Sequence, residues 1–176
     1  MTQDQRTFVR WKLLVLLFAL AFVAYVLRLN FSILAERIMP EFGISQVELG
    51  WIMAGFLAGY AAFQFPGGLL GEKIGTRRAL ALIALLWGAV TVLTGALPGL
   101  LVTTTAGAIA VFIGLQLLMG VVQAPIFPVQ SGVIAEWFPS SGWALPNALI
   151  GTGLGLGAAV TPPAVAWLML DRKSVV

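Results

Sequence analysis

The sequence predicts an all-α membrane protein with five transmembrane helices, and three observations carry that prediction. Of its 176 residues, 60% are hydrophobic and only 10% charged, where a soluble domain has about a quarter charged. No charge stands between Arg78 and Glu136, a gap of 57 positions, nor between Glu136 and Asp171, a gap of 34. At roughly 20 residues for each crossing of a hydrocarbon core of about 30 Å, those gaps hold two spans and then one. Finally, five apolar stretches reach that length, at 13–35, 49–70, 79–97, 106–135 and 143–170, each separated from the next by helix breakers or charge.

The first stretch follows Arg6, Arg10 and Lys12 and looks at first like a signal peptide. It continues past signal-peptide length with no clear small-residue cleavage site, so it reads as a retained span. The second is bounded by the charged connectors 36–48 and 71–78, and the third ends at a turn expected at Pro98 and Gly99. Connector 136–142 separates the fourth from the fifth, and Pro125, Pro128, Pro162 and Pro163 are expected to bend their helices. The division is therefore an N-terminal tail at 1–12, five spans over 13–170 and a short tail at 171–176.

Orientation follows from Lys and Arg. Arg6, Arg10 and Lys12 before the first span, with Lys73, Arg77 and Arg78 after the second, put six on one side; Arg37, Arg172 and Lys173 put three on the other. The N-terminus is thus expected to be cytoplasmic, in the cell membrane. The net charge of +3 records this topology and contact with the lipid bilayer, not nucleic acid, because no basic cluster is interleaved with aromatics. Neither Cys nor His occurs, which removes thiol nucleophiles, disulfides and the commonest metal ligands. No cofactor or metal is expected, and an enzyme is disfavoured because no acid, His or Cys lies within the spans.

Gly55, Gly59 and Pro66 in the second span recur as Gly151, Gly155 and Pro162 in the fifth, each 96 residues on, as in transporters with repeated three-helix units. These glycines suit close helix packing. Gln116, Gln123 and Gln130 recur every seven residues and so share one edge of the fourth span, where lipid would leave their amides unmet. Packing between helices or a wet surface satisfies them equally well.

One residue breaks the apolar pattern outright. Arg28 is the sole formal charge within the predicted spans and lies 15 residues beyond Leu13, about 22 Å along a helix. An arginine there costs about 2.5 to 3.5 kcal/mol unless it faces a polar pathway or snorkels outward. Ala21, Ala24, Tyr25, Arg28 and Ser32 fall on one helical face, a small and polar stripe flanked by Leu and Val.

The stretch GLLGEKIGTRR, Gly68 to Arg78, has two glycines suited to a tight turn and an acid flanked by bases able to form changing ion pairs. It resembles the loop between the second and third helices of the major facilitator superfamily. Gly68, Leu70, Lys73, Gly75 and Arg77 match that pattern, while Glu72 replaces its usual Asp and Thr76 a basic residue. RLN at Arg28, EFGIS at Glu41, GYAAFQFPGG at Gly59, QAPIFP at Gln123 and AEWFP at Ala135 are similar to the anion:cation symporter family within that superfamily.

The resemblance implies five helices of an N-terminal six-helix bundle, from a secondary transporter that moves organic anions such as sugar acids or other carboxylates by alternating access. It makes Arg28 the carboxylate contact, a task suited to a planar guanidinium. It also makes Tyr60, Gln64, Gln116 and Gln123 candidates for the substrate pathway, and Gly68, Glu72, Lys73, Gly75, Arg77 and Arg78 a gating loop. The implied partners are a small organic anion and the C-terminal transporter half. The chain departs from the family at three positions: Leu27 replaces an acid, Gln116 an arginine and Gln123 an acid associated with proton coupling. None of the three titrates, so coupling through these positions is not expected. DRKSVV falls where a short turn and a sixth helix are expected, so a truncated coding sequence is the expectation. The rival reading is a transport-inactive membrane scaffold or partner subunit.

Overall fold

The computed structural model describes residues 3–101 and 104–173. Residues 174–176 of the expected tail lie outside the described residues, and so does the side chain of Asn30. Among the described residues all regular structure is helical: α1 (Gln3–Phe42), α2 (Gln46–Ile74), α3 (Thr76–Leu101), α4 (Thr105–Gln123), α5 (Ile126–Trp137) and α6 (Ala144–Lys173), with a 3-10 turn at Ser140–Gly142. Five segments among them are long and apolar enough to cross a membrane: Val9–Ile33, Gln46–Ile74, Thr76–Ala96, Thr105–Trp137 and Ser140–Trp167. They match the five predicted stretches in order. Helices are the form that pairs every backbone group internally where no water is available.

The helices outrun the expected spans and shrink the connectors. With 40 residues, α1 is roughly 60 Å long, about twice the hydrocarbon core. It already includes Arg10 and Lys12, and it ends at Gly43, where φ of +66° suits glycine. A capping box then starts α2: Glu48 N–H donates to Ser45 Oγ at 3.3 Å, and Ser45 N–H donates to Glu48 Oε2 at 2.8 Å. Connector 71–78 reduces to Gly75 alone, with φ of +85° between α2 and α3.

The turn expected at Pro98 and Gly99 is not there. The backbone stays helical to Leu101, because a proline forfeits a single hydrogen bond and a helix in an apolar medium gains nothing by opening further. Pro66, Pro162 and Pro163 likewise lie inside helices. Pro125 does interrupt its span: α4 ends at Gln123 and α5 begins at Ile126.

The chain forms two compact units, Met1–Glu36 with Ile134–Val176, and Arg37–Val133. In the second unit α2 runs along α4, and glycine sets the approach. A Cβ at Gly55 would lie 3.1 Å from the Ile113 carbonyl oxygen, and one at Gly59 would overlap the Leu117 carbonyl. Phe42 meets Phe112 edge-on, with centroids 5.6 Å apart. Further along α2, Gly67 lies against Pro125, Gly68 against Pro128 and Gly71 against Val129.

In the first unit α6 lies on α1. A Cβ at Gly153 would come within 2.8 Å of the Phe18 carbonyl oxygen, and one at Gly157 within 3.0 Å of Tyr25 Cβ. Gly151 and Gly155 have nothing near them. The recurrence at 96 residues therefore does not carry over to packing, since its partners Gly55 and Gly59 sit in a helix crossing. Phe65, Leu85 and Val92, at 75%, 73% and 69% exposed, leave the outer surface apolar, as a protein solvated by lipid requires.

Candidate functional site

Arg28 belongs to the first unit, and Tyr60, Gln64, Gln116 and Gln123 belong to the second. In the first unit the stripe predicted on α1 grades from buried to half-buried along the helix. Ala21 is fully buried and Ala24 6% exposed, while Tyr25, Arg28 and Ser32 are half-buried. Gly157 admits the Tyr25 side chain close to the α6 backbone, and Thr161 Oγ1 donates back to the Gly157 carbonyl at 2.6 Å. So positioned, the Tyr25 ring carries the Arg28 guanidinium, with Cζ 5.7 Å from its centroid. A cation over an aromatic face gains about 0.5 to 2 kcal/mol, the more so when shielded from water. A guanidinium has a planar fork of donors, the geometry that a carboxylate or sulfonate matches.

In the second unit Tyr60 lies at the crossing of α2 and α4. Tyr60 stacks on Phe56 with centroids 5.8 Å apart and planes at 20°. Its backbone nitrogen would lie 2.8 Å from a Cβ at Gly120, which places Tyr60 beside α4 between the levels of Gln116 and Gln123. Gln116, Gln123 and Gln130 are 7%, 5% and 2% exposed, so the amide edge faces protein. Gln123 Nε2 is buried and finds no acceptor, a state that costs on the order of 1–3 kcal/mol when nothing offsets it. Gln64, one turn beyond Tyr60, is exposed.

Gln123 also sits at the helix break. Pro125 and Pro128 lack N–H groups, so the carbonyls of Val121 and Ala124 lose their ordinary helical donors. A buried amide donor and released carbonyls thus adjoin on one short segment.

Of the expected gating loop, Glu72, Lys73, Arg77 and Arg78 are all exposed, on the last turn of α2 and the first of α3. Gly75 supplies the turn, whereas Gly68 makes room for Pro128. Gly67 and Gly71, not singled out in the sequence, seat Pro125 and Val129 in the same way. The signal was present: Gly55, Gly59, Gly67 and Gly71 are spaced by four, eight and four residues, one face of a helix.

Comparison with known proteins shows the family of the chain. Residues 16–173 match the family model described as Major Facilitator Superfamily. A protein of Cupriavidus necator named "Probable sulfoacetate transporter" is 30% identical over 161 residues, 92% of this chain and 35% of the relative. A "Probable galactarate/D-glucarate transporter" of Bacillus subtilis is 30% identical over 164 residues, 93% of this chain and 35% of its own length. The "D-galactonate transporter" of Escherichia coli is 28% identical over 159 residues, with 90% and 35% covered. The chain therefore spans about a third of the length of these relatives. None of the three names speaks for a scaffold.

Proposed function

The chain belongs to the major facilitator superfamily, and on that footing we propose that it forms part of a secondary transporter moving small organic anions that bear a carboxylate or sulfonate. Sulfoacetate, galactarate and galactonate, the solutes in the relatives' names, share such a group. The observation that carries the reading is Arg28, a half-buried cation in an apolar span, braced on Tyr25 beside the glycine notch of α6. It contacts the anionic group of the substrate. Within the second unit, Tyr60, Gln116, Gln123 and the exposed Gln64 are the uncharged candidates for the substrate pathway.

Transport proceeds by alternating access against a C-terminal half. Glu72, Lys73, Arg77 and Arg78 form the gating loop on the cytoplasmic side of the cell membrane, where the N-terminus also lies. Leu27 and Gln123 cannot exchange a proton, so transport is not coupled through these two positions.

Uptake of labelled galactarate or sulfoacetate into proteoliposomes containing the full-length protein, with and without an imposed pH gradient, tests this. Saturable uptake is expected, and any response to the gradient should survive Gln123→Leu. No uptake of either solute contradicts the substrate class, and proton-driven accumulation lost in Gln123→Leu contradicts the coupling reading.

A further inference from the structure

Arg10 stands at the end of the α1 span, which begins at Val9, and is half-buried. Its guanidinium lies 5.3 Å from the ring centroid of Phe138 and 5.8 Å from that of Trp11. Its Nε is buried and has no hydrogen-bond partner. Phe138, just past α5, is itself held, because its carbonyl accepts from the Trp143 indole Nε1 at 3.0 Å. Trp11 and Trp143 are 43% and 42% exposed, and Lys12 is exposed beside them. All of these residues belong to one compact unit.

Exposed tryptophans at the ends of spans settle at the level of lipid headgroups. Two rings within cation–π distance fix the position of the Arg10 guanidinium, whose planar fork of donors suits a phosphate. A basic residue that only marks topology needs no such clamp. We propose that Arg10, clamped by Phe138 and Trp11 and flanked by Lys12 and Trp143, is a binding site for the phosphate headgroup of an anionic phospholipid in the adjoining leaflet. The aromatic clamp provides position and the acyl chains lie along the exposed apolar face of α1, where Val15 and Leu16 are 66% and 64% exposed.

The test is native mass spectrometry of the purified full chain, titrated with phosphatidylglycerol or phosphatidylcholine. Phosphatidylglycerol should bind more tightly. Arg10→Gln should weaken its tightest adduct about five- to tenfold, the scale of one basic side chain at a membrane surface. Arg77→Gln, which removes an equal charge from an exposed helix start, should leave it unchanged. Phe138→Leu keeps every charge and should still weaken binding, with melting temperatures confirming that each variant is folded. Equal losses for Arg10→Gln and Arg77→Gln, equal binding of the two lipids, wild-type binding by Phe138→Leu, or displacement of the lipid by soluble glycerol phosphate would each overturn the proposal.

Discussion

Gly59 of α2 and Gly120 of α4 face each other's helices across a single crossing: a methyl group on Gly59 would overlap the Leu117 carbonyl, and one on Gly120 would overlap the Phe56 carbonyl. Each helix thus depends on the other for a missing side chain. This contact brings Tyr60 alongside the glutamine edge of α4, so the site of the second unit depends on it.

Gly59→Ala and Gly120→Ala should therefore each cost about 1–3 kcal/mol, the range for overpacking a tight interior. The double variant should cost less than the sum, since one displacement of the helices relieves both clashes. Gly151→Ala and Gly155→Ala meet open space and should be neutral or gain up to about 1 kcal/mol from helix propensity. Thermal unfolding in detergent separates the two pairs.

At the α4–α5 break, Gly67 is fitted to the Pro125 ring. Gly67→Ala should destabilise by about 1–3 kcal/mol in the native background. In a Pro125→Ala background most of that loss should vanish, because the ring that meets the new methyl is gone. A double-mutant cycle on melting temperatures measures the coupling, and additivity would show that the two residues do not meet.

Ser45→Ala removes the side-chain acceptor for Glu48 N–H. The expected loss is about 0.5–2 kcal/mol, again read by thermal unfolding.

Gln123 offers the sharpest contrast between stability and function. Gln123→Met fills similar volume and removes an unmet buried donor, so stability should hold or rise by up to about 1 kcal/mol. Anion uptake should nevertheless fall, and a substrate that loses no affinity in this variant would show that the amide does not touch it.

The spans were legible in the sequence because hydrocarbon imposes length and apolarity on any crossing helix, and Arg28 was legible because a charge violates that demand. Packing faces were not. Lipid-facing and protein-facing positions are both apolar, so nothing in GTGLGLG tells that Gly153 and Gly157 bear on α1 while Gly151 and Gly155 do not. Proline was ambiguous for a related reason. Pro98 and Pro162 forfeit one bond and stay helical, whereas Pro125, seated by Gly67, falls in the break between α4 and α5, with Pro128 in the first turn of α5. The Arg10 clamp joins residues 128 positions apart in the chain, a distance no local pattern spans.

The role of Arg28 is tested most directly by anion uptake into proteoliposomes of the full-length protein carrying Arg28→Gln or Arg28→Lys, with folding checked by melting temperature. A buried charge-assisted contact of this kind is worth about 1.5–3 kcal/mol, so Arg28→Gln should lower uptake at limiting substrate by roughly ten- to a hundredfold. Arg28→Lys, which keeps the charge but loses the fork, should fall in between. A folded Arg28→Gln protein that carries the anion at the wild-type rate would contradict the account.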